Sequence, residues 1–151
     1  MEYYGKNIVS TINDANLLNG NGETVLIIDD ETAFVEVTKL LLEYYGYTVL
    51  TAFDGVEGIS VFNANKEQIS MIVCDLNMPK LGGRTILQKF LEIDPDIKIL
   101  IISGSIEEDY LVQYLIPDKV EFLQKPFLTE KLLKALKKMI PKKTTNNRKS
   151  A

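Results

Sequence analysis

Five polar side chains stand where apolar runs of strand length stop. Asp29 and Asp30 follow T-V-L-I-I, Asp75 follows I-S-M-I-V-C, Ser103 follows I-K-I-L-I-I, and Lys125 follows V-E-F-L-Q. If the strands lie side by side, these groups share one site. Three carboxylates gathered there repel one another by roughly 4 kcal/mol per pair at about 4 Å and an effective dielectric of about 20. A positive charge must compensate, and all-oxygen ligands with room for water suit Mg²⁺. An aspartate beside such an ion can attack phosphorus and form an acyl phosphate. The lysine ammonium offsets charge on the transferred group. Ser103 can donate to a phosphoryl oxygen, and Gly104 leaves space for the group to arrive.

Each residue also has a bland reading. A strand must end somewhere and Asp is a common turn residue, so Asp75 alone signals little. Asp29-Asp30-Glu31 could cap a helix and complement its dipole. Lys125-Pro126 could be an ordinary turn and Ser103 a strand terminator. Their joint occurrence, each at the end of its own strand, favours chemistry.

The elements that must position them alternate along the chain. Thr24–Ile28 reads as a strand apolar on both faces, as parallel sheets require. Phe34, Val37, Leu41 and Tyr44 then recur at helical spacing between Glu31 and Tyr45, and Gly46 stops the helix. Tyr47–Ala52 is a strand and Asp54–Ala64 a short helix weakened by Gly58. The strand Ile69–Asp75 gives way to the turn signals Asn77, Pro79, Gly82 and Gly83. A helix follows over Gly83–Glu92, with Ile86, Leu87 and Phe90 inward. Pro95 breaks it before the strand Ile97–Ile102. A helix over Glu107–Leu115 carries a partial apolar stripe of Tyr110, Leu111 and Tyr114. Val120–Leu123 is the fifth strand. The last helix, Thr129–Ile140, sets Leu132, Leu133, Leu136 and Met139 against a solvated face of Lys131, Lys134 and Lys138. Five strands alternating with five helices imply an α/β fold, a parallel sheet with helices on both faces and every strand C-terminus on one edge.

Composition bounds the alternatives. The 151 residues suffice for one domain with a real core, and 46% apolar with 25% charged residues is the make-up of a globular protein. Residues 1–22 read as an N-terminal extension or linker, 23–140 as the domain, and 141–151 as a disordered basic polar tail. With no histidine, Ser-His-Asp and Cys-His catalysis and the usual zinc sites are excluded, and any phosphohistidine belongs to another molecule or domain. A net charge of −4, from 21 acids against 17 bases, argues against direct nucleic-acid binding. No apolar run reaches bilayer length and no signal peptide precedes the domain, so no membrane contact and a cytoplasmic location are expected. The single Cys74 lies in an apolar strand and reads as a buried, inert thiol.

The segments L-I-I-D-D-E, V-C-D-L-N-M-P-K-L-G-G, I-I-S-G-S and F-L-Q-K-P-F resemble, in order and spacing, the receiver domain of two-component response regulators. The resemblance spans about residues 23–140. It implies a flavodoxin-like (βα)5 doubly wound sheet with strand order 2-1-3-4-5. It further implies that Asp75 is the phosphoacceptor and that Asp29, Asp30, Asp75 and the Asn77 backbone carbonyl hold Mg²⁺, or Mn²⁺ in its place. Lys125 then contacts the phosphoryl group, together with Ser103 and Gly104, and a cis bond to Pro126 shapes the lysine's loop. Ser103 and Phe122 take the two switch positions; the second is often Tyr in relatives, and Phe122 has no hydroxyl. Asn77 and Ser105 take the positions that tune loss of the phosphoryl group. One departure is L-I-P-D-K-V-E before the fifth strand, where relatives usually carry a Gly-Ala pair.

The partner so implied is a sensor histidine kinase or a histidine phosphotransfer protein. The output is a changed face built from segment 107–115, the fifth strand and the last helix, through which a homodimer could also form. G-E-T-V-L-I-I-D-D-E and I-I-S-G-S are similar to the receiver at the C-terminus of hybrid sensor kinases, and a single-domain regulator fits as well. Two other readings stay open. One is a receiver-shaped interaction module that is never phosphorylated. The other is a phosphatase of the haloacid dehalogenase type using Asp29 as nucleophile, although Glu31 stands where its second Asp belongs and no acidic pair follows Lys125.

Overall fold

The computed structural model describes residues 17–79, 81–104 and 115–140. Five strands are described: β1 (Thr24–Ile28), β2 (Thr48–Ala52), β3 (Ile69–Asp75), β4 (Lys98–Ser103) and β5 (Val120–Gln124). They form one parallel sheet in the order β2-β1-β3-β4-β5. Four helices are described: α1 (Thr32–Tyr44), α2 (Gly55–Asn65), α3 (Gly83–Ile93) and α4 (Thr129–Met139). The helix expected over 107–115 lies, except for Leu115, outside the described residues, as do residues 1–16, Ser105 and the tail 141–151.

Alternate residues of each central strand feed opposite cores. Leu26, Ile28, Ile72, Cys74, Ile99 and Ile101 pack with Phe62 of α2 and Ile86, Leu87 and Phe90 of α3. Val25, Ile27, Met71, Val73, Leu100 and Ile102 pack with Val35 and Leu42 of α1 and Leu132, Leu133 and Leu136 of α4. Burial on both faces is why these strands read as unbroken apolar runs. The fold is the α/β doubly wound sheet that the sequence predicts.

Two helices differ in detail from expectation. In α1 the buried residues are Val35, Thr38 and Leu42, whereas Val37 and Tyr44 are 67% and 85% exposed. Two adjacent stripes fit the helical period equally well, and Thr38 disguised the one that faces the sheet. In α2, Gly58 costs helix propensity, yet a Cβ there would lie 2.6 Å from Ile28 Cδ1. Close approach of α2 to β1 requires the glycine. Asp54 caps this helix by accepting the Glu57 N–H at 2.8 Å, while Glu57 Oε2 accepts the Phe53 N–H at 2.9 Å.

At the edge of the sheet away from the strand C-termini, residues 18–23 are tied to the α1–β2 turn. Gly20 N–H donates to the Tyr45 carbonyl at 2.7 Å, Gly22 N–H to that of Gly46 at 2.8 Å, and Thr48 N–H to that of Glu23 at 2.9 Å. Gly46 sits at φ +89°, and a Cβ there would meet the Gly20 carbonyl oxygen at 2.9 Å. Leu18 packs on the core that α1 and α4 cover, as does Tyr45.

Before β5, the L-I-P-D-K-V departure folds as a tight turn. Ile116 and Val120 form an antiparallel bridge, Asp118 takes φ 65°, and its carbonyl accepts the Lys98 ammonium.

Candidate functional site

The parallel register brings the strand ends together. Ile28 pairs with Cys74, Asp75 with Ile102, and Ser103 with Gln124, so Asp29, Asp75, Ser103 and Lys125 emerge along one edge. Carboxylate oxygens of Asp29, Asp30 and Asp75 all lie within 4.8 Å of one another. Lys125 Nζ is 2.6 Å from Asp29 Oδ2, 3.6 Å from Asp75 Oδ2 and 3.9 Å from Glu31 Oε2.

Backbone donors hold the carboxylates in place. Asp29 Oδ1 accepts the Glu31 N–H at 2.9 Å, and Asp75 Oδ1 accepts the Asn77 N–H at 2.9 Å. Glu31, at the α1 N-cap, makes no side-chain cap bond, and Asp29 is fully buried against Lys125. The acidic run is therefore spent on the site rather than on capping. Asp75 is the deep carboxylate that solvent still reaches, with a side chain 12% exposed, while Asp30 is exposed. A nucleophilic role suits Asp75 better than the buried, ion-paired Asp29, which disfavours the dehalogenase-type reading.

The electrostatics follow from this crowding. Burial raises the Asp75 pKa above the usual carboxylate value. The Asn77 N–H opposes that, Asp29 and Asp30 add to it, and Lys125 opposes it. Burial works against the Lys125 ammonium too, but the hydrogen bond to Asp29 and the charges of Asp29, Asp75 and Glu31 outweigh it, so its pKa rises. Lys125 is thus a fixed cation, and the three acids still exceed it in charge. Clustered hard oxygen donors with excess negative charge fit a divalent cation such as Mg²⁺.

The remaining residues line the mouth. Ser103 is buried, at 2% exposure, and its Oγ accepts from Asn77 Nδ2 at 2.7 Å. The Lys125 N–H donates to the Ser103 carbonyl at 2.9 Å, and the Lys125–Pro126 peptide is cis. Among the described residues, a Cβ at Gly104 would meet only Lys125 Cβ, at 3.9 Å. Phe122 is half-buried against the core that α2 and α3 cover.

Two aromatic residues flank the site beyond those the sequence reading assigns to it. The Lys125 ammonium lies 4.0 Å from the centroid of the Phe34 ring, and Phe127 meets that ring edge-on at 6.1 Å. With Glu31, Gly104, Lys125 and Pro126 they line a shallow cleft of about 510 Å³. Phe34 reads from sequence as a core position; its place one turn into the helix after the acidic run is the signal that it flanks the site.

An open parallel sheet with three acids, a hydroxyl and a lysine on its carboxyl edge defines a receiver. The chain belongs to the response regulator receiver domain family, whose model matches residues 25–137. It is 32% identical over 119 residues to the chemotaxis protein CheY of Treponema pallidum, covering 78% of this chain and 83% of that one. It is 32% identical over 131 residues to the sensor kinase CckA of Brucella abortus, covering 87% of this chain but only 14% of the kinase. It spans about half, 51%, of the regulator TcrX of Mycobacterium tuberculosis.

Solved structures agree. A receiver domain protein from Clostridium thermocellum superposes with a TM-score of 0.73 at 33% identity, over 78% of this chain and 93% of that one. A CheX–CheY–BeF3–Mg²⁺ complex from Borrelia burgdorferi gives 0.70 at 28%, over 75% and 85%. The protein is a receiver domain of two-component signalling.

Proposed function

We propose that Asp75 accepts a phosphoryl group from a phosphohistidine on a sensor kinase or phosphotransfer protein. One Asp75 oxygen attacks phosphorus as the P–N bond breaks, and the electron pair of that bond returns to the donor imidazole. The product is an aspartyl phosphate. The observation that carries this reading is the approach of Lys125 Nζ to 3.6 Å from Asp75 Oδ2, beside acids whose oxygens lie within 4.8 Å.

Asp29, Asp30, Asp75 and the Asn77 carbonyl would hold Mg²⁺, with Mn²⁺ as a substitute. A bound divalent ion supplies charge neutralisation between carboxylates and phosphoryl oxygens. Lys125 offsets the charge on the incoming group and stays protonated throughout, held by Asp29. Phe34, braced edge-on by Phe127, shields that ammonium on one side. Ser103 and Gly104 face the arriving oxygens. The phosphoryl group adds about 1.5 to 2 negative charges. Ser103 is drawn to it, Phe122 moves into the space left, and the face that β5 and α4 present changes shape. Asn77 and Ser105 tune hydrolysis.

That face is where a target, or a second copy, would dock. The excess of acids over bases opposes direct nucleic-acid binding. Among the described residues no helix is long and apolar enough to cross a membrane, and we infer that the domain works in the cytoplasm.

Incubation with acetyl phosphate and Mg²⁺ tests the assignment. The unaltered chain is expected to gain one phosphoryl group and Asp75→Asn none. A phosphorylated Asp75→Asn protein would overturn it. Beryllofluoride with Mg²⁺ separates a working switch from a receiver-shaped module: shifts of the Ser103 and Phe122 amides support the switch, and silence supports the module.

A further inference from the structure

Asn77 is bonded twice. Its backbone N–H donates to Asp75 Oδ1 at 2.9 Å, and its side-chain Nδ2 donates to Ser103 Oγ at 2.7 Å. The first bond orients the acceptor carboxylate. The second reaches 26 positions along the chain to a hydroxyl on the neighbouring strand.

The two partners differ in freedom. The Ser103 backbone is fixed, because it pairs with Gln124 in the ladder and its carbonyl accepts the Lys125 N–H. Any motion of the hydroxyl towards a group on Asp75 is therefore a turn about its Cα–Cβ bond. That turn exchanges the Asn77 contact for one to a phosphoryl oxygen. Ser103 is buried, so its hydroxyl needs a protein or phosphoryl partner in each state, whereas Asn77 is exposed and its amide can return to water.

We propose that the Asn77 side chain is the restraint on the switch: it holds the Ser103 hydroxyl in the unphosphorylated position, and so sets how readily loading of Asp75 is converted into the conformational change. Asn77 is on this view a positioning residue. The inference rests on the reading of Asp75 as acceptor and Ser103 as switch. A bond made in one state alone biases the equilibrium by its own net worth. For a neutral hydrogen bond that is a factor of about 2 to 10.

The test is an amide chemical-shift titration with beryllofluoride at saturating Mg²⁺. Beryllofluoride is not hydrolysed, so any effect of residue 77 on hydrolysis of a phosphoryl group drops out. Asn77→Ala is expected to bind it about 2- to 10-fold more tightly than the unaltered chain. Asn77→Leu, with the same branched outline and no donor, should do the same. In a Ser103→Ala background, Asn77→Ala should change the affinity by less than about 2-fold, because the bond is already gone.

A role confined to supporting the local fold would weaken binding or leave it unchanged. Equal or weaker binding by Asn77→Ala, tightening by Ala but not by Leu, or undiminished tightening without the serine hydroxyl would each overturn the restraint while leaving the proposed function intact. No binding by the unaltered chain would overturn both.

Discussion

Lys125 and Asp29, 96 positions apart in sequence, meet at 2.6 Å, and the aspartate is fully buried. The pair closes the sheet edge from β1 across to β5 and leaves one arm of the ammonium aimed at Asp75. Asp29 has no route to water, so its charge depends on its partners.

Removing the lysine therefore costs stability as well as chemistry. Lys125→Ala strands a buried carboxylate, and we expect a loss of about 3 kcal/mol in denaturant unfolding without metal. Saturating Mg²⁺ should recover part of it, since the cation repairs the same charge imbalance. Transfer from acetyl phosphate should fall even under conditions where the variant is folded.

Asp75 should behave in the opposite way. Its folded pKa is raised, so its contribution to stability is fully present below the unfolded value and is lost as pH rises through the folded one. At neutral pH the ionised group is a net cost. Asp75→Asn is expected to raise the Tm of metal-free protein by roughly 2–5 °C at pH 7. The gain should shrink on acidification, as the unaltered carboxyl protonates, and calorimetry across pH reads both.

Asp30 is exposed, so its neutralisation should spare the fold. Asp30→Asn is expected to stay within about 0.5 kcal/mol in stability. Its Mg²⁺ affinity should drop roughly tenfold through the loss of one nearby charge, as titration calorimetry would show.

Away from the site, Tyr47 is 5% exposed and its hydroxyl has no hydrogen-bond partner among the described residues. Burial, then the charge of Glu23, pushes its pKa up from 10.0 to about 12. Stability carried by the neutral phenol is present below pH 10 and lost as pH approaches 12. Tyr47→Phe should abolish this alkaline loss and stabilise the protein by about 1 kcal/mol at pH 7. Gly20→Ala should do the reverse, because its Cβ would lie 2.8 Å from the Tyr47 ring.

How much of this is legible in the sequence depends on what each residue must satisfy. Strands buried on both faces leave little freedom, so Thr24–Ile28 and Ile69–Asp75 read directly from their apolar runs and end where expected. Helix faces carry more ambiguity. Thr38 points inward among apolar neighbours, and a polar name in an apolar stripe misdirects the eye to Val37. The acids and the lysine of the site are legible because each ends a strand. Phe34 is not, because an aromatic that shields an ammonium has the same periodicity as one that fills a core. The attachment of residues 18–23 is invisible for another reason: its bonds are backbone to backbone, and Asn-Gly-rich text does not say which carbonyl it will meet.

Cys74 gives the molecule a built-in gauge of its own opening. The thiol is fully buried in β3, donates to the Asp75 carbonyl, and has its pKa raised by burial and then by the charges of Asp75 and Asp29. A sulfhydryl so sealed reacts with an alkylating reagent only when the central strand parts from its neighbours. Since the residue directly precedes the proposed acceptor, the speed of its modification would report how tightly whatever occupies the acidic edge locks the middle of the sheet, with no label added.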